Sequence, residues 1–112
     1  MKFKDGVFTR VTVVKNGVET TLEPSAEIKK AMQVADIVSR EITGKQVTVT
    51  SVLDGKHKPG SRHYSGNAFD LRTFIYSKDQ VKKLVQELKK QLGTDYDIVD
   101  ETDHLHIEFD PK

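Results

Sequence analysis

The stretch His104-Leu105-His106-Ile107-Glu108-Phe109 constrains the fold most tightly. In an extended strand alternate side chains share a face, so His104, His106 and Glu108 point one way and Leu105, Ile107 and Phe109 the other. Such a strand has a dry side turned to a core and a polar side carrying two imidazoles. A second stretch, Asn67 to Phe74, reads the same way. Ala68, Asp70 and Arg72 share one face, and Phe69, Leu71 and Thr73 share the opposite one.

The remaining pattern supplies the partners such strands need. Val7 to Leu22 alternates and carries Asn16-Gly17 at its middle, flanked by the β-branched runs Val11–Val14 and Val18–Leu22. Asn-Gly takes the positive φ angles of a tight hairpin turn, so residues 1–22 are predicted to form an N-terminal β-hairpin. Pro24-Ser25 opens a helix, with Ser25 as its cap and Glu27 in the first turn, where the helix dipole favours an anion. Ile28, Ala31, Met32, Ala35, Val38 and Ile42 recur at helical spacing, and Gly44 ends the run. Gln46 to Val52 reads as a strand with valines on one face and hydroxyls on the other. Asp54 to Gly66 is a loop. Ser77 and Gln80 form a capping-box pair ahead of a second helix striped by Val81, Leu84, Val85, Leu88 and Leu92 and ended by Gly93. Tyr96–Val99 and His104–Phe109 close the chain as paired strands. The order β-β-α-β-loop-β-α-β-β predicts an α+β fold, with two main helices packed on an antiparallel-rich sheet. At 112 residues, without repeat or linker, the chain is expected to be one domain, 1–112, and a monomer.

Composition narrows the chemistry. A net charge of +1 argues against a general nucleic-acid binder, which needs a basic excess or face. No apolar run approaches the ~18 residues of a membrane span. The first residues show no secretory signal, so the chain is expected to be made in the cytoplasm and to reach a cell wall only after release. There is no cysteine, so any metal must be held by His, Asp or Glu.

The four histidines, His57, His63, His104 and His106, lie in two short segments that also carry carboxylates. Gly66 would let the loop turn back tightly and bring His63 above Asp70. His63, Asp70 and His106 would then offer two imidazole nitrogens and one carboxylate oxygen, a donor set suited to one zinc ion with an open fourth position. Zinc brings the pKa of a bound water near ~7. A general base is still required. Asp103, three residues before His106, is the first candidate and Glu101 the second. Glu108 shares the His106 face and is placed to hydrogen-bond a ligand's ring nitrogen.

Ser61-x-His63-x-x-Gly66-x-Ala68-x-Asp70, followed by Asp103-His104-x-His106, resembles the zinc peptidases of the M15 group. These include D-alanyl-D-alanine carboxypeptidases and dipeptidases and phage L-alanyl-D-glutamate endolysins; hedgehog signalling domains share their fold and zinc site. The resemblance spans residues 57–108. It implies a hedgehog/D,D-peptidase-like fold, zinc on His63, Asp70 and His106, Asp103 in the base position, and His104 near the substrate carbonyl. His57, six residues before His63, matches a spacing that hedgehog domains also show, and is a candidate substrate contact. Many D,D-peptidases carry an arginine upstream of the first ligand, but Thr50 to Asp54 contains none. Arg62 and Arg72 are the candidates to supply that charge. The implied function is hydrolysis of peptidoglycan stem peptides at a D,D- or L,D-type bond. A zinc-holding, hedgehog-like pseudo-enzyme or a phage structural or binding module is the alternative, and a plain domain without metal is a third reading.

Overall fold

A computed structural model of the chain describes residues 1–7, 9–53 and 66–111. The elements in chain order are β1 (Lys2–Phe3), β2 (Val11–Lys15), β3 (Val18–Leu22), α1 (Ala26–Thr43), β4 (Thr48–Ser51), β5 (Ala68–Arg72), α2 (Lys78–Leu92), β6 (Tyr96–Asp100) and β7 (His104–Phe109). The fold is α+β, with two helices and a mixed five-stranded sheet in the order β1-β4-β5-β7-β6. In this sheet β1–β4 is parallel, and β4–β5, β5–β7 and β6–β7 run antiparallel.

Local chemistry set most of these elements. The hairpin β2–β3 closes on Lys15 opposite Val18, with Asn16 and Gly17 at φ 53° and 77°. Both central residues of a turn that matches strand twist need such angles. The Ser25 hydroxyl accepts the Ile28 N–H and starts α1, and Gly44 ends it with its N–H on the Arg40 carbonyl. At α2 both bonds of the capping box form between Ser77 and Gln80, and Gly93 closes the helix.

The expected strands differ at their edges. The strand expected over Gln46–Val52 is reduced to Thr48–Ser51, and its pairing with β5 shifts register between Val49 and Ser51. An extra residue in one strand breaks the ladder there. Its hydroxyl face is not open to water, since Thr48 and Ser51 are buried along with Val47 and Val49. β5 stops at Arg72, and Phe74 falls in the turn that follows. β6 runs one residue further than expected, to Asp100. The hairpin expected over residues 1–22 covers only 11–22: Lys2 and Phe3 instead form β1 in the main sheet, because two exposed residues carry no periodicity and the parallel neighbour β4 alone defines them.

The core lies on one side of the sheet. Phe69, Leu71, Leu105 and Ile107 from β5 and β7 pack with Ile28, Ala31, Ala35 and Val38 of α1 and Leu84 and Leu88 of α2, all essentially inaccessible to water. Removing each large apolar side chain from water is worth ~1.5–3 kcal/mol. Tyr76 inserts beside them. The Ser39 hydroxyl donates its single proton to the Lys45 carbonyl, so the Tyr76 hydroxyl donates to Ser39 at 2.6 Å. Burial pushes the Tyr76 hydroxyl above its usual pKa, which keeps it a donor.

Asp36 fastens α1 to the start of β4. Its carboxylate accepts the Val47 N–H at 3.0 Å, the Arg40 Nε–H at 3.0 Å and the Met1 amine at 3.3 Å. Burial alone would raise its pKa, but these donors outweigh burial and hold it below the ordinary 3.8. A depressed carboxylate contributes stability that is complete above its unfolded pKa and is lost as pH falls through the folded one. Asp36→Asn is therefore expected to cost about 1–2 kcal/mol at pH 7. Denaturant titrations should find the gap closing below about pH 4.

Candidate functional site

The polar face of the sheet, opposite the helices, carries the site. β5 and β7 pair in a register that sets Asp70 opposite His106, Arg72 opposite His104 and Ala68 opposite Glu108. Each strand alternates, so these six side chains share one face while Phe69, Leu71, Leu105 and Ile107 share the other. The polar faces of the two strands thus become one surface.

Asp70 is buried, and its Oδ1 lies 3.0 Å from Nδ1 of His106. Nε2 of His106 lies 2.9 Å from Oε1 of Glu108. The hydrogen bond with Asp70, reinforced by Glu108 and opposed by burial, raises the His106 pKa to about 9. His104 is held by carboxylates at both ring nitrogens. Glu101 Oε2 is 3.0 Å from Nε2, and Asp103 Oδ1 hydrogen-bonds Nδ1. Asp70 Oδ2 lies 3.9 Å from the same Nε2. Burial alone would lower the His104 pKa, but Asp103, Asp70 and Glu101 together raise it.

The donors suit a metal ion. Two ligands at ~2.0–2.1 Å on a tetrahedral zinc stand about 3.3 Å apart. The 3.0 Å separation of Asp70 Oδ1 and His106 Nδ1 lets both reach one ion. Glu108, as an acceptor on Nε2, leaves Nδ1 as the nitrogen that could face an ion, an arrangement common behind metal-bound histidines. The third expected ligand, His63, lies outside the described residues, as do His57 and Arg62.

Of the two candidate bases, Asp103 has a side chain 84% exposed and Glu101 one 47% exposed. Both sit in the turn between β6 and β7, and both contact His104. The guanidinium of Arg72 lies 4.6 Å above the ring of Phe74, itself strongly exposed. Phe74 also lines an open cleft of about 450 Å³ with Tyr76, Lys78, Val81 and Asp100, a cleft that Asp70, His104 and His106 do not line.

Two features escaped the sequence reading. Asp97, Glu108 and Asp110 bring carboxylate oxygens within 4.8 Å of one another, a group that could hold a metal ion. Asp97 pairs with Glu108 across β6 and β7, so only register shows it. The second is the tether from Thr73 to the β6–β7 turn, whose residues are far apart in sequence.

Among the described residues no helix is long and apolar enough to cross a membrane. No protein-family model matches the chain, and no curated protein matches it at a meaningful level.

Proposed function

We propose that this chain is a zinc-dependent peptidase acting on peptidoglycan stem peptides, built on a hedgehog/D,D-peptidase-like arrangement. The observation that carries the reading is the β5–β7 register, which sets the Asp70 carboxylate against Nδ1 of His106 with Glu108 behind the ring. The likeness of the two sequence motifs to M15 peptidases supports it. Asp70 and His106 would hold the ion, with His63 as the third ligand. The ion would supply Lewis acidity and a water ionisable near neutral pH.

The chain's own groups do the rest. Asp103 takes the proton of the attacking water and returns it to the leaving amine. Glu101, on the other nitrogen of the same imidazole, is the substitute if Asp103→Ala retains turnover. His104, held at both ring nitrogens by Glu101 and Asp103, would stand near the substrate carbonyl, as the resemblance to M15 peptidases implies. Arg72 lies on the strand face of Asp70, opposite His104, where its charge would favour an acidic substrate.

The test combines metal analysis with digestion of defined muropeptides. One zinc per chain and new amine termini are expected. With zinc at ~1,000 times its dissociation constant, binding adds about 4 kcal/mol to folding, so a chelator should lower Tm by roughly 10–20 °C. Zinc without hydrolysis would point to a pseudo-enzyme. No metal and no thermal response would sink the reading.

A further inference from the structure

The turn that carries Glu101 and Asp103 is strained. Thr102 sits at φ 74°, in the left-handed region. A β-branched residue is a true outlier there, and such conformations persist only where the surroundings over-determine them. The restraints here are specific. Asp100 Oδ1 accepts the Thr102 N–H at 3.0 Å, and the Asp103 N–H donates to the Glu101 carbonyl at 2.9 Å. From across the sheet, the Thr73 hydroxyl donates to the Thr102 carbonyl at 3.0 Å, and the Thr73 N–H reaches the Asp103 carbonyl at 3.3 Å. Thr73 is 4% exposed and directly follows β5, the strand that holds Asp70.

We propose that Thr73 is a positioning residue: by tying the Thr102 and Asp103 carbonyls to the end of β5, it holds the strained turn so that Glu101 and Asp103 flank His104 at a fixed offset from Asp70. The β5–β7 ladder ends at the Arg72–His104 pair, and the Thr73 bonds carry the attachment on to the turn itself. The Thr73 tether joins the two carboxylates of the turn to the strand bearing the candidate ligand. Its hydroxyl is needed because it is a buried donor matched to a carbonyl, a role valine cannot fill at equal size.

The turnover arm of this inference rests on the proposed peptidase reading, so the experiment has an arm that does not. In Thr73→Val, amide hydrogen exchange at Asp103 is expected to quicken on the order of tenfold, with Leu105 and Ile107 unchanged. Turnover is expected to fall on the order of 10–100-fold in kcat, with KM and zinc content kept. Thr73→Ser, which retains the hydroxyl, should restore both. Adding Thr102→Asn to Thr73→Val should restore part of kcat, because asparagine adopts the left-handed conformation more readily. If wild type hydrolyses nothing, the peptidase reading falls, and exchange at Asp103 alone decides this proposal. Unchanged exchange in Thr73→Val, or a kcat loss that Thr73→Ser does not repair, would overturn it.

Discussion

Asp70→Ala is expected to strip the chain of stoichiometric zinc and, with it, of measurable hydrolysis. Among the described residues Asp70 is the one buried carboxylate, and its Oδ1 stands against His106 Nδ1. Removing a hydrogen-bonding partner one layer behind a metal typically weakens binding 10–100-fold. Loss of a direct ligand, the role proposed for Asp70, should exceed that. The catalytic loss should reach at least the order of 10²–10³-fold, that of removing one group that stabilises transition-state charge. Folding should suffer too, because the half-buried His106 would lose its hydrogen bond with Asp70, at a cost of about 1–3 kcal/mol. Asp70→Asn separates the effects: it keeps the volume and an acceptor but loses the charge. Atomic absorption on both variants, beside muropeptide digestion, reads the result. A zinc-replete Asp70→Ala protein with wild-type turnover would remove Asp70 from the ligand set.

Gly66→Ala should be the most damaging single-methyl addition among the described residues. Gly66 has φ 75°, and a Cβ there would stand 2.5 Å from the Glu23 carbonyl oxygen, on backbone that cannot swing aside. The Gly66 carbonyl also accepts the N–H of Ser25, the cap of α1. The left-handed angle costs alanine ~1–2 kcal/mol and the clash ~1–3 kcal/mol more. The total of about 2–5 kcal/mol is a large share of the ~5–15 kcal/mol typical of a domain. Gly17→Ala is the control: its φ is 77°, but no atom lies within 4 Å of the added carbon. Urea denaturation should find Gly66→Ala well below Gly17→Ala. Equal midpoints would mean that the approach to Glu23 is not tight in solution.

Much of this protein was legible from one end of the chain to the other. Ser25, Ser77-Gln80, Gly44 and Gly93 mark both helices, because capping is a contact within a few residues. Asn16-Gly17 marks the hairpin for the same reason. The alternation of β7 announces its dry and polar sides before any partner is known. The candidate ligands Asp70 and His106 were equally visible, as a motif and as members of a strand face.

What the residues could not announce is which strand lies beside which, and at what offset. That β5 and β7 are neighbours, paired so that Asp70 meets His106, depends on packing both apolar faces under two helices. A slip of one residue would turn every polar side chain into the core. The parallel strand β1, the approach of Gly66 to Glu23, the acidic group at Asp97, Glu108 and Asp110, and the Thr73 tether share that origin. Local sequence sets periodicity, caps and turns through contacts a few bonds away. The site is assembled from segments more than thirty residues apart, and only the burial of a common core brings them together.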